Sequence, residues 1–148
     1  MILISHRGNI AGPNKNRENS VDYILETLGE GYDVEIDVWK VSGTWYLGHD
    51  GPEYPTEEAF LLNKGLWCHA KNLEALNDLL GLSVRCFWHQ NDDHVLTSNG
   101  LIWSYPGMPL ESNSICVMPE KSKKESEYLS KCAGVCSDFI SRYRREDG

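Results

Sequence analysis

The sequence predicts an α/β protein: a mainly parallel sheet closing into a compact (β/α) barrel from which several crossover helices are reduced or missing. Three observations lead there. Short apolar, strand-like runs alternate with amphipathic helical segments through the first half of the chain. Strand-like runs then dominate the second half. The chain has 148 residues, enough for one core but well short of the roughly 250 that a full eightfold barrel takes. No internal repeat, low-complexity tract or linker interrupts it, so residues 1–148 are read as one domain.

The elements follow in order. ILISH, residues 2–6, is an apolar strand that stops at His6, Arg7 and Gly8. A polar loop, GNIAGPNKNREN, leads into SVDYILETLGEGY, where Val21, Ile24, Leu25 and Leu28 recur at helical spacing. Ser20 is placed to cap that helix, and Gly29 and Gly31 to end it. In DVEIDVWKV, Val34, Ile36 and Val38 alternate with Glu35 and Asp37, the period of a strand. Ser42-Gly43 predicts a hairpin turn into TWYLGHD. A short helix near 56–62 precedes a strand over 66–72, LWCHAKN. NLEALNDLLGL is an amphipathic helix capped by Asn72 and ending near Gly81, and VRCFWHQND is the next strand. VLTSNG, LIWSYPG and SICVMPE are three short apolar segments between turns, with His94 in the polar loop before them. A charged helix over 120–132 and a last strand, GVCSDFI, complete the chain before a polar tail.

Composition narrows the function. The net charge of −8 argues against a broad nucleic-acid surface, which needs an excess of Lys and Arg, yet suits carboxylates gathered around a cation. No apolar run approaches the roughly 18 residues of a membrane span. The N-terminus has no basic stretch and turns polar after four residues, so no secretory signal is expected and a cytoplasmic location is. Five cysteines, an odd number with no CxxC pair, predict small buried hydrophobes in a reducing compartment.

Several residues carry possible chemistry. Glu35 and Asp37 share a strand face; if the valines face outer helices, the two carboxylates point inward, where a hard divalent ion would offset their repulsion. A solvated strand face is the alternative. His6 and His49 both end strands, as acid and base or simply as polar end-caps. His69 and Lys71 share a face, and an inward lysine needs an anion or a carboxylate partner. His89, Trp88, Trp103 and Tyr105 fall at or near strand ends, where they line a pocket or pack a core.

ISHRG, ENS at 18–20, VEID at 34–37 and GHD at 48–50, in that order and spacing, resemble the glycerophosphodiester phosphodiesterases. These belong to the wider superfamily of phosphatidylinositol-phospholipase-C-like phosphodiesterases. AKN fits the family's third-strand lysine, and GVCSD its final strand more loosely. The resemblance implies a TIM-type barrel with its site at the C-terminal ends of the strands, one Mg²⁺ or Ca²⁺ ion and a small phosphodiester substrate. It implies His6 and His49 as the acid/base pair, Arg7 and Lys71 at the phosphate, and Glu35 and Asp37 on the metal, with Glu18 and Asn19 lining or completing the metal site. The chain departs from the family in length, and in placing His69 where a third acidic ligand is usual. An imidazole there opens the site to Mn²⁺ or Zn²⁺. His89 and Trp103 are expected at the substrate. Two other readings remain: a phosphate- or headgroup-binding module on a degenerate barrel, and a zinc protein using His69, Asp37 and a further histidine.

Overall fold

The computed structural model describes residues 1–122 and 129–145. Its strands are β1 (Ile2–His6), β2 (Asp33–Val41), β3 (Thr44–Leu47), β4 (Tyr54–Thr56), β5 (Leu66–Ala70), β6 (Cys86–Trp88), β7 (His94–Leu96), β8 (Ile102–Ser104), β9 (Ser114–Val117) and β10 (Gly134–Ser137). Its α-helices are α1 (Val21–Gly29), α2 (Glu58–Leu61) and α3 (Leu73–Gly81), with 3-10 turns at Pro119–Lys121 and Ile140–Tyr143. The charged helix expected over 120–132 falls largely on residues 123–128, outside the described residues.

All ten strands join one curled mixed sheet. Its parallel run is β6-β5-β2-β1-β10-β9-β8. The strand β7 adds antiparallel to β8 at one edge, and β3 and β4 fold back antiparallel from the far end of β2. This corrects the expected TIM-type barrel: the protein is a half-barrel with three short helices. Chain length is the cause. The helix α1 fits between β1 and β2, and α3 between β5 and β6, but residues 89–93 and 105–113 are too short for helical crossovers, which take a dozen residues or more. Among the described residues no ladder joins β6 to β7. The edges are only tacked together, by the Ser98 N–H donating to the Cys86 carbonyl and the Cys86 N–H to Ser98 Oγ, both at 2.8 Å.

The two faces of the sheet bury different things. On the convex face Val34, Ile36 and Val38 pack with Ile24 of α1 and Ala75 and Leu79 of α3. On the concave face Ile4, Trp67, Phe87, Trp103, Ile115, Val117 and Cys136 form an apolar floor. Trp67 is fully buried there, and truncating such a side chain to alanine typically costs about 3–5 kcal/mol. The alternation that sends the valines outward sends Glu35 and Asp37 inward, above that floor.

Asn72 caps α3 as expected: its Oδ1 accepts from Ala75 N–H and Lys40 N–H, both at 3.1 Å, and its Nδ2 donates to the Lys40 carbonyl at 2.7 Å. Ser20 has the extended backbone of a cap but makes no capping hydrogen bond. The strand β4 is hidden in the sequence by Pro55, tolerated because β4 is an edge. His94 starts β7 and lies 2.9 Å from Ser104 Oγ rather than in a loop. All five cysteines are free thiols, four buried and Cys132 half-buried. Burial pushes the Cys68 and Cys136 thiols up, away from the reactive thiolate. Among the described residues no helix is long and apolar enough to cross a membrane.

Candidate functional site

Every parallel strand near the site ends at the same edge of the sheet, and the polar side chains at those ends meet there. His6 ends β1; Glu35 and Asp37 lie in β2; His69 is the last residue but one of β5, with Lys71 just beyond that strand. Together they line a cavity of about 290 Å³, with Arg7 beside them and Phe87, His89, Trp103 and Tyr105 on the opposite wall. Four of the chain's five histidines line it, His6, His49, His69 and His89.

Glu35, Asp37 and His69 each present a ligand atom within 4.8 Å of the other two, so this group could hold a metal ion. Glu35 is 3% and Asp37 1% exposed. The donor set fits a divalent cation: two carboxylates supply charge, and the Glu35 carboxylate accepts no hydrogen bond among the described residues, its nearest cation-forming neighbour being His6 Nε2 at 3.8 Å. Burial, and then the neighbouring Asp37 charge, push the Glu35 carboxyl well above its ordinary range. Burial pulls Asp37 the same way, but the His69 contact at 3.1 Å, the Arg7 charge and the Asn19 amide outweigh it and hold Asp37 ionised. Asn19 grips Asp37 twice, donating from Nδ2 to Oδ2 at 2.9 Å and accepting the Asp37 N–H at 3.0 Å.

Arg7 Nε lies 3.2 Å from Asp37 Oδ2, too poorly aligned for a hydrogen bond, so the contact is one of charge. Arg7 Nη1 donates to Glu18 Oε1 at 3.3 Å, and Glu18 Oε2 is buried without a partner. Glu18 thus stands outside the three-residue ligand group and in a neighbouring cavity. The backbone is forced to make these contacts. Arg7 and Asn19 both adopt left-handed φ, 59° and 65°, and the Asn19 N–H donates to the Arg7 carbonyl at 3.1 Å. Gly8 is required next to them, since a Cβ there would sit 2.5 Å from the Tyr23 ring.

His6 is oriented from behind. Its Nδ1–H donates to Asp138 Oδ1 at 2.7 Å, which leaves Nε2 facing the cavity. Burial disfavours the Asp138 charge, but the hydrogen bonds from His6 and from Asn9 Nδ2, at 2.9 Å, bring its carboxyl below the usual range. Asn9 Oδ1 accepts in turn from Tyr23 OH and Asn14 N–H, both at 3.0 Å. Sequence reasoning missed Asp138 and Asn9 as site residues, while Tyr105 does line the cavity, one of the two roles left open for it. Asp138 carried a signal, a carboxylate just past the end of the last strand, where His6 ends the first. Asn9 carried none until the strands were assembled.

His49 is the outlying member, 47% exposed on its side chain, with Nδ1 2.7 Å from Asp50 Oδ1. Its loop is pinned to β2 by Gly48 N–H to the Asp37 carbonyl at 3.1 Å and Trp39 Nε1–H to the Gly48 carbonyl at 2.7 Å. Trp103 is part of the cavity floor, while the His89 ring stacks on Tyr105 at 3.9 Å. Lys71 reaches the cavity without an ion-pair partner among the described residues, so the structural salt bridge to Glu35 or Asp37 is not formed. Comparison with protein-family models, curated proteins and solved structures found no match.

Proposed function

We propose that this chain is a metal-dependent phosphodiester hydrolase of the glycerophosphodiester phosphodiesterase kind, using His6 and His49 as its acid/base pair. The observation that carries the reading is the meeting of two functions in one cavity. A three-residue ligand group lies beside an imidazole already fixed by a carboxylate, and the cations of Arg7 and Lys71 line the same space. A divalent ion held by Glu35, Asp37 and His69 would offset charge on the phosphoryl oxygens. Arg7 and Lys71 would bind the same oxygens directly. His6, with its proton on Nδ1, offers Nε2 to accept a proton from the attacking hydroxyl. His49, on the rim, is placed to return one to the leaving alcohol.

The test is hydrolysis of bis-(p-nitrophenyl) phosphate and a panel of glycerophosphodiesters, after EDTA and with Mg²⁺, Ca²⁺, Mn²⁺ or Zn²⁺ restored. Turnover that EDTA abolishes and one ion restores is the expected result. EDTA-resistant turnover, or none with any ion, overturns it. The exposure of His49 favours a second reading, a phosphate-binding module without turnover. Phosphate affinity with no hydrolysis under any ion would select that reading.

A further inference from the structure

The cavity that holds the ligand group is not alone. A second, of about 370 Å³, adjoins it, and Arg7 and His49 line both. Their remaining walls are unlike. The second cavity is polar throughout, with Lys15, Asn19 and three carboxylates, those of Glu18, Asp50 and Glu53. The first holds the ligand group, and several of its other lining residues are flat rings. His69 stacks on Phe87 (5.1 Å, 11°), Phe87 on Trp103 (4.7 Å, 29°), and His89 on Tyr105 (3.9 Å, 27°). The outer pair is prebuilt: His89 Nε2 lies 3.0 Å from the Asp92 carbonyl, which fixes the ring. Tyr105 and His89 are half-buried, unlike Phe87 and Trp103 beneath them, so they are the rings an incoming group can cover.

A phosphodiester has two arms joined at one anion. Two cavities that share an arginine and a histidine match that shape. Resting on the hydrolase reading for the site, we infer that one arm of the substrate carries a flat aromatic or heterocyclic ring seated against Tyr105 and His89. Flat rings stack on aromatic faces with an attraction that a puckered aliphatic ring of similar size lacks.

Calorimetry on the full chain with Mg²⁺ tests the ring arm without needing turnover. The probes are benzyl phosphate and cyclohexylmethyl phosphate, close in size but differing in flatness. Benzyl phosphate should bind more tightly by roughly two- to tenfold, and Tyr105→Leu should erase that preference while leaving inorganic phosphate affinity unchanged. His89→Ala, at a more exposed ring, should shrink the preference even if Tyr105→Leu fails to fold. Equal affinities for the two probes, a preference untouched by both variants, or no binding of either probe overturns the inference. Selective benzyl phosphate binding with no turnover of any diester keeps the ring site and discards the hydrolase reading.

Discussion

The two halves of the curled sheet do different work. The half built from β1, β2 and β5 carries α1 and α3 on its convex face, and it supplies the ligand group, His6, Arg7 and Lys71. The half built from β8, β9 and β10 is backed instead by the 3-10 turns at Pro119–Lys121 and Ile140–Tyr143 and by Leu129, and it supplies apolar floor: Trp103, Ile115, Val117 and Cys136. Buried charges need strands that cannot shift, and two helices packed on Val34, Ile36 and Val38 provide that. Asp138 is the exception, a carboxylate just past β10 that reaches across to His6.

The comparison can be broken most severely on the braced side. Asp37→Asn keeps the volume and much of the Asn19 contact but removes the charge. It should lower divalent-ion affinity by more than the roughly 10–100-fold typical of losing an outer partner, and turnover with it. Titration calorimetry with Mn²⁺ and circular dichroism for the fold would check this. His6→Ala should cut the rate constant by about 10²–10⁴, and His6→Ala with His49→Ala should be little worse than the poorer single variant, as for two groups acting in one step. Asp138→Asn tests the exception. It should cost less than His6→Ala but more than about tenfold, and it should shift the acidic limb of the pH–rate profile, where the base loses its proton, which a purely structural role would leave in place.

His69→Glu converts the ligand group to oxygen only and should move metal preference toward Ca²⁺ and Mg²⁺; an unchanged order of preference would rule out ligation by His69. Stability against pH gives a smaller effect. The Glu35 carboxyl is raised above its ordinary 4.5 in the folded protein, so folded chains hold a proton there that unfolded chains release. Without metal, stability therefore declines as pH rises from about 4.5 through the raised value, and it is fully present below. Urea unfolding across pH should show that decline, flattened in Glu35→Gln and offset by a bound divalent ion. Least of all, Ser20→Ala should change stability by under about 0.5 kcal/mol, because no cap bond exists to lose, whereas Asn72→Ala should cost about 1–2 kcal/mol.

These residues also mark what the sequence made legible. Alternation in VEIDV placed both carboxylates on the inner face, a strand end found His6, and the same alternation paired His69 with Lys71, because each signal is local. Asn72 was readable as a cap for the same reason. Closure of the sheet was not readable: strand periodicity does not say whether β6 finds β7 or stops at a tack through Ser98. Nor was the Ser20 result, since propensity at a cap position does not decide whether the hydroxyl turns toward the backbone. The Asp138 pairing was hidden by distance along the chain, for no spacing rule joins residues 6 and 138.

That distance has a consequence for biosynthesis. The strand β10 lies between β1 and β9, and the carboxylate that orients His6 follows it, 132 residues after the histidine. At about 5–20 residues per second, the ribosome delivers Asp138 roughly 7–26 s after His6. Through that interval the nascent chain can hold β1, β2 and β5 with their charges assembled, yet the imidazole has no fixed tautomer and the slot beside β1 stands open. On the proposed hydrolase reading the chain stays inert until the last strand slides into place, so a chain truncated before β10 would carry the ligand group without the oriented base.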